Sequence, residues 1–230
     1  LVCLMLANNE TGTLQPVAEA AALCRAAGAL LHVDAAQAIG RIEVDFAALG
    51  ADSLALSGHK LGGPQGAGAL VLGADIRLLP LIKGGGQERG WRGGTPSLPA
   101  IAGLGAAIAL PPVDLSALRE QIEQAALACG AIVLGGGAAR LGNTSCLALP
   151  GVAAQVQVMA LDIAGIEVSA GAACSSGKVA RSHVLEAMGK GPLAGEAIRV
   201  SLPWNATAAH VSAFARAYAD MAQRLSRSAG

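Results

Sequence analysis

Three polar clusters in this 230-residue chain carry residue types suited to covalent chemistry. The first is Ser57, His59 and Lys60, which follow the strand-like run "SLAL" and precede a glycine-rich stretch. Lysine is usually placed where water reaches it, so an amine at the mouth of a buried strand needs a chemical reason. In a partly desolvated pocket it loses its proton more easily and becomes a nucleophile. It can then hold an aldehyde as a Schiff base. The second cluster is Asp34 and Gln37, after "ALLHV", and the third is Asn8-Asn9-Glu10, after "LVCLMLA". In open α/β sheets, ligands sit beyond the carboxyl ends of parallel strands. If these three strands are neighbours, amides, a carboxylate and an amine converge on one crevice.

Pyridoxal phosphate is the aldehyde cofactor that pairs such a lysine with a carboxylate at its pyridine nitrogen. Asp34 would keep that nitrogen protonated, Ser57 and His59 would hold the phosphate, and the glycines after Lys60 would leave room for the ring. Each signal also has an ordinary explanation. An Asp after a strand is commonly a cap or turn residue, and "GHK" alone is commonly a surface turn. The pattern lacks the G-x-x-x-x-G-K-[ST] form, so a nucleotide P-loop is not supported.

Five cysteines, an odd number without a C-x-x-C pair, argue against zinc and redox-pair sites and fit a reducing cytoplasm. Cys3, Cys24, Cys129 and Cys146 fall in apolar strands or on apolar helix faces, where free cysteine normally packs in the core. Cys174 differs, because Ala170 to Gly177 are otherwise all Ala, Gly or Ser. That composition suits either a loop that carries a thiol into a crevice or a tight helix crossing lined with small residues.

The elements that must position these groups alternate. "LVCLML" reads as a buried strand, and Pro16 opens a helix whose Val17, Ala20, Cys24 and Ala27 share a face, with Gly28 at its stop. "ALLHVD", "DSLALS" and "AGALVL" are further strands, and "AIAGLGAAIAL" reads as a buried helix. This is an α/β pattern with a mostly parallel sheet and helices on both faces. Pro111-Pro112 marks a break, so a large domain is expected over 1–112 and a smaller α+β domain over 113–230. In the latter, Val211, Phe214, Tyr218, Met221 and Leu225 form an amphipathic helical stripe. Lys+Arg and Asp+Glu are both 16, which disfavours a nucleic-acid partner. The five scattered aromatics disfavour base stacking. No apolar run reaches membrane length, and no secretory signal is visible.

Five ordered motifs resemble the cysteine desulfurases, pyridoxal-phosphate enzymes of the class V aminotransferase group. They are "HVDAAQ" (32–37), "SGHKLGGPQG" (57–66), "GGGQERGWRGGT" (84–95), "SAGAACSSG" (169–177) and "AIRVSL" (197–202). The resemblance implies that the chain forms the C-terminal part of a pyridoxal-phosphate-dependent transferase fold. It implies Lys60 as the Schiff-base lysine, Asp34 at the pyridine nitrogen, Gln37 at the ring hydroxyl and Asn9 beside cofactor and substrate. Ser57 and His59 would bind the phosphate, and Thr95 would reach the phosphate of a neighbouring subunit in a homodimer. Arg199 would clamp the substrate carboxylate, a task suited to its planar fork. Cys174 would take sulfur from L-cysteine as a persulfide, leaving alanine. It would then pass that sulfur to an acceptor or an iron–sulfur scaffold protein, and serve as a transient iron–sulfur ligand.

The family's N-terminal stretch, with its phosphate loop and ring-stacking histidine, has no counterpart here. His32 and His59 belong to other motifs, and His183 and His210 lie in the second domain. The expectation is an N-terminally truncated chain that binds the cofactor weakly and turns over slowly. Alternatives are another class V enzyme (a selenocysteine lyase or an aminotransferase), a cysteine hydrolase using Cys174, and an inactive fragment.

Overall fold

The computed structural model describes residues 1–171 and 181–227. The chain divides into two compact units, Leu1–Ala7 with Gln15–Val113, and Asn8–Leu14 with Asp114–Gly230.

The first unit contains β1 (Val2–Met5), α1 (Val17–Ala26), β2 (Leu31–Asp34), α2 (Phe46–Leu49), β3 (Ser53–Ser57), β4 (Gly68–Leu72) and α3 (Leu98–Ile108). The sheet order is β1-β2-β3-β4. β1, β2 and β3 are parallel neighbours, and β4 returns antiparallel to β3. The parallel pairs need crossovers, which α1 and α2 supply. Val33, Leu31 and Leu54 fill the centre of the sheet and are 0–2% exposed. α1 buries Val17, Ala21 and Cys24, one residue away from the expected stripe at Ala20, and Ala27 is its C-terminal cap. Gly28 follows at φ +64, the left-handed stop the helix needs.

Two expectations for this unit are corrected. "LVCLML" is a strand but not a buried one: Val2, Cys3 and Met5 are exposed. Among the described residues β1 stands at the sheet edge with a single neighbour, so its residues stay accessible. "AIAGLGAAIAL" is a helix but not a buried one, since α3 buries only Ala100 and Leu104. That one face packs on the loop after Lys60. A Cβ at Gly103 would lie 2.5 Å from Pro64 Cγ, which only glycine avoids. Leu98, Ile101 and Ile108 on the remaining surface are 75%, 41% and 44% exposed.

The second unit holds α4 (Ser116–Leu127), β5 (Ile132–Leu134), β6 (Thr144–Ala148), α5 (Ala154–Ile163), β7 (Ser169–Ala170), α6 (His183–Ala187), β8 (Ala197–Ser201) and α7 (Ala208–Arg227). Its sheet order is β5-β6-β8-β7, antiparallel throughout. α7 turns Val211, Phe214, Tyr218 and Met221 into a core shared with Ile122, Leu147, Leu161 and Ile198, as the stripe predicts. Residues 8–14 join this unit rather than the strand they follow. The Leu14 N–H donates to the Ala139 carbonyl at 2.8 Å and the Leu141 N–H to the Gly12 carbonyl at 2.8 Å. A boundary read along the chain cannot see such a return. Among the described residues, no helix is long and apolar enough to cross a membrane.

Tyr218 is fully buried, and its hydroxyl has no partner among the described residues. Burial first, and the Cys129 charge second, push its phenol up. Tyr218→Phe should therefore hold or raise stability by up to ~1 kcal/mol. Tyr218→Ala should cost about 3–5 kcal/mol through the cavity it leaves. Urea midpoints of the two variants check this contrast.

A buried ion cluster ties α4 to β6. Arg140 donates to Glu123 at 2.7 and 3.1 Å, Ser145 Oγ donates to the same carboxylate, and Arg119 Nε lies 3.7 Å away. Burial alone would push the Glu123 carboxyl up. The hydrogen bonds from Arg140 and Ser145, with the Arg140 and Arg119 charges, outweigh it and hold the carboxyl below its ordinary value. With the folded value depressed, this stabilisation is present above the ordinary carboxylate range and is lost as pH falls through the lower folded value. Glu123→Gln should cost about 1.5–3 kcal/mol at neutral pH. It should also flatten the acid limb of a stability-versus-pH curve.

Candidate active site

The carboxyl ends of β1, β2 and β3 lie along one sheet edge, with Met5 beside Asp34 and Asp34 beside Ala55. β1, β2 and β3 are thus neighbours, the condition the three polar strand ends require, and Asp34 and Lys60 follow adjacent strand ends. Asp34 ends β2 with its side chain exposed. Its Oδ1 accepts from the Ala36 N–H at 2.9 Å, and Oδ2 has no partner among the described residues. β3 runs into a 3-10 turn, Gly58–Lys60. Ser57 Oγ and His59 Nδ1 are 2.7 Å apart, with Ser57 half-buried and His59 exposed. Lys60 is half-buried rather than enclosed, and its Nζ makes no hydrogen bond or ion pair among the described residues.

Gln37 is half-buried, and its side-chain oxygen accepts from Arg41 Nη1 at 2.7 Å. Thr95 is exposed, at the end of a glycine-rich stretch in which Glu88 and Arg89 take φ of 47° and 58°. Those left-handed values are costly for residues with a Cβ and mark a bent connection into α3.

Asn9 and Arg199 belong to the second unit. Asn8 Oδ1 accepts from the backbone N–H groups of Glu10 (2.9 Å) and Thr11 (3.0 Å), which builds the turn carrying Asn9. Arg199, in β8, donates through Nη1 to the Asn9 carbonyl at 3.0 Å and through Nη2 to Ser169 Oγ at 3.2 Å. Its Nε is buried without a partner among the described residues. Glu10 does not join an open crevice. It is 2% exposed and accepts from Ser182 Oγ at 2.6 Å, while Ser182 caps α6 through the Leu185 N–H. Cys174 lies outside the described residues.

Of the cysteines expected in the core, Cys24 and Cys146 are buried, Cys129 is half-buried and Cys3 is exposed. Cys3 departs because β1 is an edge strand. Burial, then the Glu10 charge, push the Cys146 thiol up to about 12 against the pull of Arg199 and Arg140. A thiol is reactive only as thiolate. With a maleimide at pH 8, Cys3 should be labelled first of these four, and Cys24 and Cys146 only after denaturation. Peptide mass mapping over time reads the order.

The sequence profile of the family described as Aminotransferase class-V matches residues 1–214. The chain belongs to that family. One relative, the cysteine desulfurase of Cereibacter sphaeroides, is 48% identical over 219 residues, 92% of this chain and 56% of the relative. Among solved structures, a NifS-like protein from Rickettsia africae ESF-5 superposes with a TM-score of 0.89 at 35% identity. It is matched over 96% of this chain and 61% of its own. SspA, solved in complex with cysteine, gives a TM-score of 0.72 at 33% identity over 87% of this chain and 58% of its own. The chain thus spans little more than half the length of the curated relative.

Two contributors escape a motif reading, Ser182 and Arg41, and the role of a third, Asn8, was not distinguished. Asn8 stood beside Asn9 with nothing to say which builds the turn and which is presented. Ser182 is joined to Glu10 across 172 positions of sequence, which no local pattern signals. Arg41 had one available sign, its place four residues after Gln37.

Proposed function

We propose that this chain carries the lysine, carboxylate and thiol of a cysteine desulfurase, using pyridoxal phosphate to remove sulfur from L-cysteine. The observation that carries the reading is the parallel β2–β3 pair. It sets the free Oδ2 of Asp34 and the uncommitted amine of Lys60 after neighbouring strand ends. That donor set fits the cofactor: a carboxylate for a ring nitrogen, an amine for an aldehyde, and a hydroxyl with an imidazole for a phosphate. When bound, pyridoxal phosphate supplies an electron sink for the substrate's α-carbon.

The chain's own groups do the rest. Asp34 holds a proton at the ring nitrogen. Lys60 would hold the aldehyde through its Nζ and would move the substrate's α-proton. Ser57, His59 and a neighbour's Thr95 would hold the phosphate, Asn9 would lie beside the ring, and Gln37 would meet the ring hydroxyl. Arg199 retains donors beyond those given to Asn9 and Ser169, enough to accept a carboxylate. The Cys174 thiolate receives the sulfur, leaving alanine, and passes it to an acceptor such as an iron–sulfur scaffold protein. A cluster in transit would have Cys174 as one ligand. Free thiols throughout the described cysteines suit a reducing cytoplasm. A homodimer would cover Leu79, Leu81 and Ile82, now 90%, 97% and 62% exposed, in the stretch leading to Thr95.

The test is the purified chain with saturating pyridoxal phosphate. The expected result is visible absorbance, a borohydride-fixed label that maps to Lys60, and alanine formed from L-cysteine. A colourless chain, or a label on another lysine, refutes the reading.

A further inference from the structure

Arg41 binds two parts of the candidate site at once. Its Nη1 donates to the main-chain carbonyl and to the side-chain Oε1 of Gln37, and its Nη2 donates to the main-chain carbonyl of Lys60 at 3.1 Å. The backbone around it is drawn tight. Ala38 N–H donates to the Ala35 carbonyl at 2.9 Å and Arg41 N–H to the Ala38 carbonyl at 3.0 Å. Gly40 stands at φ +78, and a Cβ there would lie 2.9 Å from the Cβ of Leu61, the residue after Lys60. The turn that follows β2 is therefore pressed against the turn that follows β3, and the guanidinium bridges them.

The bridge has a chemical consequence. A guanidinium carries only donors, so the group facing it on Gln37 must be the amide oxygen. Both Nε2 hydrogens are then left for a partner elsewhere. Without Arg41 the amide could rotate by half a turn and offer its oxygen instead. A donor held toward a hydroxyl favours the ionised hydroxyl, while an acceptor favours the protonated one.

We infer that Arg41 is a positioning residue: it fixes the Gln37 amide as a hydrogen-bond donor and locks that donor's spacing to Lys60. The inference rests on the reading above that Gln37 meets the ring hydroxyl of pyridoxal phosphate. In that reading Arg41 lowers the pH at which the bound cofactor changes colour by acting through Gln37.

The test compares Arg41→Met, Arg41→Lys and Gln37→Glu with the parent chain in two measurements. The first is amide hydrogen exchange without cofactor. Arg41→Met should speed exchange about tenfold at Leu61 and Gly63, whose N–H groups both bond the Gly58 carbonyl. Gln37→Glu, which keeps an acceptor for Arg41, should leave it unchanged. The second is the pH midpoint of the visible band with pyridoxal phosphate bound. It should rise by about one unit in Arg41→Met and at least as far in Gln37→Glu, which lacks the amide donor. Arg41→Lys should recover only part of either change, because one ammonium cannot span both carbonyls as a fork does. The inference falls if Arg41→Met leaves exchange unchanged, or if its midpoint stays at the parent value while that of Gln37→Glu moves. A parent chain that never colours sinks the reading of the site and the cofactor half of this inference together. Exchange alone then decides whether Arg41 couples the two turns.

Discussion

Lys60→Ala, mixed with saturating pyridoxal phosphate and reduced with borohydride, is expected to carry no label on the Gly58–Lys60 turn. Its rate of alanine formation from L-cysteine should drop on the order of a thousandfold or more. In the proposed reading two functions are lost together: the covalent hold on the cofactor aldehyde, and the base that moves the α-proton, itself worth about 100- to 10,000-fold. The parent amine suits both tasks because its Nζ is committed to no carboxylate among the described residues and its stem is half-buried. The fold should survive, since the side chain makes no hydrogen bond or ion pair among the described residues; the turn is held by its backbone and by Arg41. Far-ultraviolet circular dichroism matching the parent would establish that. A Lys60→Ala chain retaining label and turnover would remove Lys60 from the chemistry altogether.

Cys174→Ser should give the opposite signature. Cofactor binding, colour and the Lys60 label should match the parent, while persulfide and sustained alanine production fall at least about 100-fold. A hydroxyl stays protonated at neutral pH, whereas a thiol of pKa about 8.5 is already a few per cent thiolate. In the proposed reading, sulfur transfer by the parent should quicken as pH rises and more of the thiol ionises. Mass spectrometry of the Cys174 peptide after L-cysteine, with and without reductant, distinguishes a persulfide from other adducts. An unchanged rate in Cys174→Ser would leave the family assignment standing and transfer the chemistry to another class V activity. Together the two variants separate cofactor attachment from sulfur acceptance, which a single activity assay cannot do.

The exposed β1 and α3 show how far composition can mislead. An apolar run states that a segment prefers to leave water, not that this chain supplies the surface that covers it. For α1 and α7, covering elements exist within their own units, and the stripes became core, with a one-residue shift in α1. For β1 and α3, only one side found a partner, and apolar side chains stay exposed. Glu10 erred in the other direction. It was grouped with polar residues at a strand end, yet its chain turns into the second unit and the carboxylate is buried on Ser182.

Strand alternation, the glycine run after Lys60, and five motifs in order were sufficient to establish the α/β class, the family and the residues expected to do chemistry. These are local or ordinal properties, written in composition and spacing. The tertiary structure decided which hydrogen bonds those residues form. It oriented the Gln37 amide toward Arg41, gave two Arg199 donors to Asn9 and Ser169, and placed residues 8–14 in the second unit. The physical reason is that hydrogen bonds and burial depend on what lies within a few ångströms in space. Folding makes neighbours of residues that spacing along the chain leaves unrelated.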